Sequence, residues 1–541
     1  MKKTTSRIAA ILAAGIAISM VQTASATLYT WRSAVRSGLF SNYNCWSYKD
    51  GNNQTQVADA SHHLTTSDDF SFWLQPSAGY YYVTNDTSTA FNGGQFSFGM
   101  VDIAGNLTTQ SKTHIRIATS GTAPRLAVVN KHDGNWTIGQ DLYVGGSGSS
   151  HAGNCGVFTN RSGNVYVESG WTYVGGNATG GNLPNATGVV VNVSGNIRTR
   201  SMIIGGAADN TSGTLEIQGG KVSVFVSDRL LDNKYWYSMV LATKPTSRAT
   251  IRVAEGARFE SEGSGHNIGM CDGPITIDID GTFKINNGGL LNYQDNNNEG
   301  TNFVVTVGPT GRFEFRQVRG GRSGRRMLYL DGGTLAPQGD ESNFLAYLSL
   351  AIKSDRDGKI EVPSGKTVDT GVWVSSIGSA KGALVKTGAG TLRITNYFRP
   401  AGGMKVRQGT LSILHNDTSF TSYDCPLSIS KTGTVTGGAF VMGSGGSLAL
   451  EFASKTSGAT MNITTSFTRN ANIPITFSTE TAFGFDETYT LVKGGKIANT
   501  NNFSVVSATA NGVDITGSVY LAVESGNLVM KRKPYFSIKV R

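Results

Sequence analysis

Glycine fills 69 of the 541 positions, whereas only 16% of residues are charged and 12 are proline; average chains carry about 7% glycine and about 25% charged residues. That balance excludes a helical protein, the lack of a strict glycine triplet excludes collagen, and 39% apolar with 9% aromatic residues excludes a disordered polymer. A net charge of +10 is mild for a chain of this length, and what remains is a turn-dense, strand-rich fold.

Lys2, Lys3 and Arg7 precede the apolar run of residues 8–21, and Ala24-Ser25-Ala26 follows it. This is the layout of an export signal. The run is shorter than the ~20 residues that cross a bilayer, so residues 1–26 are expected to be removed and to leave no integral membrane segment. Residues 27–100 hold Trp31, Tyr43, Trp46, Tyr48, Trp73, Tyr80, Tyr81 and Tyr82. They are expected to plug the open end of a coil as an N-terminal cap, since an uncapped solenoid exposes core and strand edges, with a sugar-stacking surface as the alternative.

From about residue 101 the chain repeats. Tyr143-Val144-Gly145-Gly146, Tyr173-Val174-Gly175-Gly176 and Ile203-Ile204-Gly205-Gly206 recur every 30 residues. Between them stand Gly163-Asn164-Val165, Gly195-Asn196-Ile197 and Gly220-Lys221-Val222, each preceded by a second strand-like segment opening at Gly156, Gly188 or Gly213. Alternation within a unit is strict: Ile275, Ile277, Ile279, Phe283 and Ile285 share one parity, and Thr276, Asp278, Asp280, Thr282 and Lys284 the other. A unit of ~25–30 residues cannot bury its apolar face alone, but stacked units can. Residues 101–430 are therefore expected to form a right-handed parallel β-helix, with a β-sandwich as the structural alternative, and residues 431–541 a C-terminal β-strand segment. Two stretches, 228–244 and 341–355, are rich in leucine and aromatics and read as insertions or short helices.

Cys45, Cys155, Cys271 and Cys425 are an even number in an exported chain, which ordinarily suggests disulfides. In a coil with rungs ~4.8 Å apart, residues 110 positions apart lie ~20 Å from each other, beyond the ~7 Å a disulfide spans. Free, mostly buried thiols are expected, and only a fold-back by an end domain would allow a bridge.

Leu384-Val385-Lys386-Thr387-Gly388-Ala389-Gly390-Thr391-Leu392, followed by Gln408-Gly409-Thr410-Leu411, resembles the autotransporter-associated β-strand repeat, Leu-x-Lys-x-Gly-x-Gly-Thr-Leu, then a loop and x-Gly-Thr-Leu. Trp31, Asn44-Cys45-Trp46 and Asp68-Asp69 are similar to the opening of such passengers, with Cys45 interrupting the usual Asn-Trp pair. The resemblance implies an exported bacterial passenger with an adhesin-like or structural role, at the cell surface, outside the cell or in the periplasm, with glycans or surface proteins as partners. The 130 residues after Leu411 are too few for the outer-membrane barrel that family members carry, so separate secretion machinery is expected.

Parallel β-helices can also carry carbohydrate-active sites, and a polysaccharide lyase or glycosidase is the alternative function. The weak candidates for its carboxylates, or for a calcium site, are Asp278 and Asp280, with Arg312, Arg316 and Arg319 placed a rung beyond. Arg316, Arg319, Arg322, Arg325 and Arg326 form a patch suited to an anionic ligand. No nucleophile elbow, phosphate loop or metal motif is present, so no cofactor is expected; the export signal argues against nucleic acid as the ligand.

Overall fold

The computed structural model describes residues 27–534 apart from 75–78, 112, 119–124, 147–152, 177–183, 227–236, 293–301, 320–325, 343, 396–397, 414–424, 470 and 498. The expected export signal, residues 1–26, lies outside the described residues. The chain is all-β: strands wind into a parallel β-helix with three faces. One coil is Cys155–Asn160 on the first face, a turn at Gly163, then Asn164–Val174, which shifts register between Val167 and Trp171 and so serves the second and third faces.

The sequence period is the hydrogen-bond register. Tyr143 lies opposite Tyr173 and Tyr173 opposite Ile203; Gly156, Gly188 and Gly213 stand in line, as do Val165, Ile197 and Val222. Alternate residues of each strand turn inward and stack on their counterparts one coil away. On the first face the column is Phe158, Val190, Leu215, Ile251, Ile277, Val305, Leu328 and Leu350. On the second it includes Trp136, Val165, Ile197, Val222, Phe259, Phe283 and Phe313, where the Phe259 and Phe283 rings stack at 4.5 Å. All of these are buried, each contributing about 1.5–3 kcal/mol relative to exposure.

Parallel pairing is also present on either side of residues 101–430, from Leu28 opposite Asp69 to Thr479 opposite Ala510. At the N-terminal end Leu28–Trp31 pairs antiparallel with Trp46–Lys49. Trp31 and Trp46 meet edge to face at 5.0 Å, and Phe40, Phe70, Phe72 and Phe96 continue the aromatic filling. Of the aromatic residues singled out in the sequence, Trp31, Trp46 and Tyr81 are buried at this end. Trp73, Tyr80 and Tyr82 face solvent instead. At the other end Thr488–Gly494, Asn527–Arg532 and Val519–Glu524 close the stack as an antiparallel sheet.

The helical reading of the two leucine-rich stretches is wrong where they are described. Tyr237–Leu241, Leu345–Ala346 and Ser349–Ile352 are strands of the coil; residues 228–236 lie outside the described residues. Tyr237–Leu241 is buried at every position, because its outer side also packs, against Tyr173, Ile203 and Cys271. A strand buried on both sides reads as an unbroken apolar run and loses the two-residue alternation.

The four cysteines form no disulfide, in keeping with their separation along the coil. Burial pushes the Cys271 thiol well above its ordinary pKa. Thiol titration in denaturant without reductant, on protein protected from air, is expected to return four groups; two or none would mean that bridges form.

Among the described residues no helix is long and apolar enough to cross a membrane.

Candidate functional site

Outward residues of one parity stand in columns ~4.8 Å apart, so a side chain's nearest partner sits one coil away and ~25–30 positions off in sequence. On the second face this geometry gathers charge. Glu260 receives Lys221 at 2.8 Å, Arg258 at 3.3 Å and Lys284 at 3.9 Å; Lys221 also reaches Glu262 at 3.2 Å, and Arg198 pairs with Glu262 at 3.0 Å. Burial alone would raise the Glu260 pKa, but the Lys221 and Arg258 contacts outweigh it and hold the carboxyl below its ordinary value. Its contribution is therefore present above the ordinary carboxylate pKa and lost as pH falls through the depressed one. Glu260→Gln is expected to cost about 1 kcal/mol at neutral pH, at the upper end for a partly exposed pair because three cations lose one partner, and to cost less at acid pH as the carboxyl protonates. Urea unfolding at both pH values tests this; equal costs would refute the ion-pair account.

The sequence candidates sit elsewhere. Asp278 lies on the first face with Arg252 one coil before it and Thr306 one coil after. Arg252 donates to Glu216 at 2.8 Å and stands 4.0 Å from Asp278, so the three form a ladder across successive coils. Asp280 follows at the strand end. A groove of about 460 Å³ runs along this edge, lined by Glu216, Arg252, Asp278, Asp280, Asp331 and Lys353 among others. It opens because Ala254 and Gly308 are small: a Cβ on Gly308 would lie 1.8 Å from the Asp280 Oδ1. Carboxylates from separate coils thus line one groove: Glu216 stands two rungs before the Asp278 and Asp280 coil, and Asp331 two rungs after it. Among the described residues no three His, Cys, Asp or Glu side chains are grouped to hold a metal ion.

Arg312, Arg316 and Arg319 do belong to the next coil, a rung beyond Asp278, but they stand on other faces than it does. Arg312 is on the second face, bonded to Glu314 and Glu361 at 2.7 Å each; Arg316 precedes the third-face strand Gln317–Arg319 and Arg319 ends it, with Arg316 paired to Glu341. Arg326 opens the first-face strand Arg326–Leu330. Arg322 and Arg325 lie outside the described residues. The described arginines are therefore divided among the three faces, and spacing along the sequence could not reveal which face each occupies.

Two lysines that sequence reasoning passed over are fully buried. Lys386, the lysine of the Leu-x-Lys-x-Gly-x-Gly-Thr-Leu stretch, takes an inward position between Ile360 and Val406. Its Nζ donates to the carbonyls of Thr387 at 2.8 Å, Gly388 at 2.6 Å and Gln408 at 3.0 Å. Lys131 does the same at an earlier corner, donating to the Asp133 and Ser162 carbonyls. Burial pushes both ammonium groups down to about 8. One coil beyond Lys131 its place is taken by Asn160, whose Nδ2 donates to Asn192 Oδ1 at 2.7 Å. These side chains are corner ties: each supplies donors to oxygens at the turn, and on the Thr387 carbonyl Lys386 joins the Val362 amide.

No protein-family model matches the sequence, and a search of the curated proteins finds no relative.

Proposed function

We propose that the chain is an exported β-solenoid akin to autotransporter-associated repeat passengers, acting without catalysis as an adhesin-like or structural protein at the cell surface or beyond it, and holding glycans along its side. The observation that carries this reading is the outer surface: over successive coils, side chains stand in straight columns whose charges are matched between neighbours, as at Glu216, Arg252 and Asp278. Such a surface offers many equivalent contacts to an extended partner. The burial of Lys386 as a corner tie adds support, because it gives the quoted motif a structural use in this chain.

The experiment incubates the purified protein with insoluble and soluble polysaccharides and follows both retention and release of new reducing or unsaturated ends. Retention without release is expected. Release that Asp278→Ala and Asp280→Ala abolish would overturn the reading and favour the carbohydrate-active enzyme, which the shared groove of Asp278, Asp280 and Asp331 otherwise recommends as the second reading. For the export component, N-terminal sequencing of protein recovered outside the cytoplasm is expected to begin at Thr27; an intact Met1 terminus would refute signal removal.

A further inference from the structure

At the N-terminal end of the first face the outward columns change character. Ser37–Leu39 is the edge strand, paired in parallel with Tyr80–Asn85, which pairs in turn with the second half of Gly93–Gly105. The register puts Ser37, Tyr82, Asp102 and Asn130 in one column. Leu39, Thr84 and Ala104 form the next column, with His132 at its far end, where the His132 amide bonds the Ile103 carbonyl. Thr84 and Ala104 are short and stand between Leu39 and His132, so the second column sinks into a trough of about 510 Å³ with Tyr82 and Asp102 along its side. That volume is within the range of small-molecule sites.

The walls differ in chemistry. Tyr82 is 59% exposed and Leu39 46% exposed, large apolar surfaces open to solvent. One rung beyond Tyr82, Asp102 Oδ1 accepts from Asn130 Nδ2 at 2.7 Å, which fixes the carboxylate, and its Oδ2 stands 3.6 Å from His132 Nε2. At that distance no hydrogen bond forms, and the His132 nitrogen has no other partner. A phosphate or other anion would meet the Asp102 carboxylate and be repelled. A wholly apolar ligand would strand that carboxylate without water, at a cost of about 1–3 kcal/mol or more. The ligand that suits both walls has an apolar face for the Tyr82 ring and a rim of hydroxyl groups for Asp102, His132 and Thr84.

From this we infer that the trough bounded by Leu39, Tyr82, Asp102 and His132 is a saccharide subsite taking a neutral sugar unit. The inference rests on the glycan-holding reading above and assigns it a place. The test titrates the full chain with cellotriose, chitotriose and maltotriose, read by saturation-transfer NMR. At least one is expected to bind, with Tyr82→Ala weakening it tenfold or more, Asp102→Asn fivefold or more, and Tyr82→Phe leaving it within threefold. Tyr82 is exposed, so its alanine variant keeps the fold, which far-UV circular dichroism checks. No transfer to any of the three sugars, or transfer unchanged in Tyr82→Ala, overturns the subsite. Retention of Tyr82→Ala on polysaccharide at the wild-type level would place the contact elsewhere and leave the wider reading standing, whereas loss of retention in the wild type itself would remove that reading.

Discussion

Alanine in place of Gly195 is expected to lower the stability of the folded chain by more than about 4 kcal/mol, a magnitude reserved for a few mechanisms. Gly134, Gly163, Gly195 and Gly220 occupy the same corner of successive coils, all with φ between 65° and 77°. A Cβ at Gly195 would sit 1.9 Å from the Gly163 carbonyl oxygen. The left-handed backbone alone costs a non-glycine residue roughly 1–2 kcal/mol. The clash adds to this, because the obstructing atom is backbone and can be relieved only by parting two coils whose ladder bonds hold them together. Gly256 separates the two effects: its φ is 75°, yet nothing lies within 4 Å of a Cβ there. Gly256→Ala is expected to cost only about 1–2 kcal/mol. Urea midpoints of the two variants, with resistance to proteolysis as a second readout, test the account, and equal losses would mean that close stacking at the corner is not what demands glycine.

The second large effect is expected at Lys386. Lys386→Ala leaves a cavity in the coil and removes the donor from the Thr387, Gly388 and Gln408 carbonyls, for a loss of about 3–5 kcal/mol. Lys386→Met restores the stem's volume and leaves only the missing donor, about 1–3 kcal/mol. The pH dependence has a definite sign. The folded pKa, about 8, lies below the ordinary 10.5, so between these values the unfolded chain binds more protons and stability rises with pH. Wild type is therefore expected to gain on Lys386→Met as pH climbs from about 8 toward 10.5, and to hold a constant margin below 8. A margin that stays flat across the whole range would show that the buried ammonium is not desolvated.

The coil could be read from sequence because its repeat is nearly constant where it matters. Tyr143, Tyr173 and Ile203 are 30 apart and meet in register, so period became pairing without any shift. Two kinds of feature were hidden. Tyr237–Leu241 lost its alternation because packing on its outer side imposes apolarity at both parities. The ion ladders and the corner ties were hidden for a different reason: Arg252 and Glu216 are 36 residues apart, and coil lengths vary enough that outward neighbours can be named only once the register is known. Asp278 and Asp280 stood out as acidic outward residues, but their partners did not. Lys386 was visible within a motif, yet a lysine in a strand repeat reads as a solvated charge until its neighbours on both coils are seen to be apolar.

The parallel ladders give the molecule a mechanical character. Their hydrogen bonds run along the stacking axis, so tension applied between the two ends strains one coil's bonds at a time, as in peeling. Releasing a coil of the Tyr143-to-Tyr173 length, 30 residues, frees ~100 Å of chain at ~3.3–3.6 Å per residue, while the coils behind it keep their own neighbours and stay folded. A partner held near one end could thus be carried a long way from the other at modest load, with the lost length regained coil by coil when the pull stops.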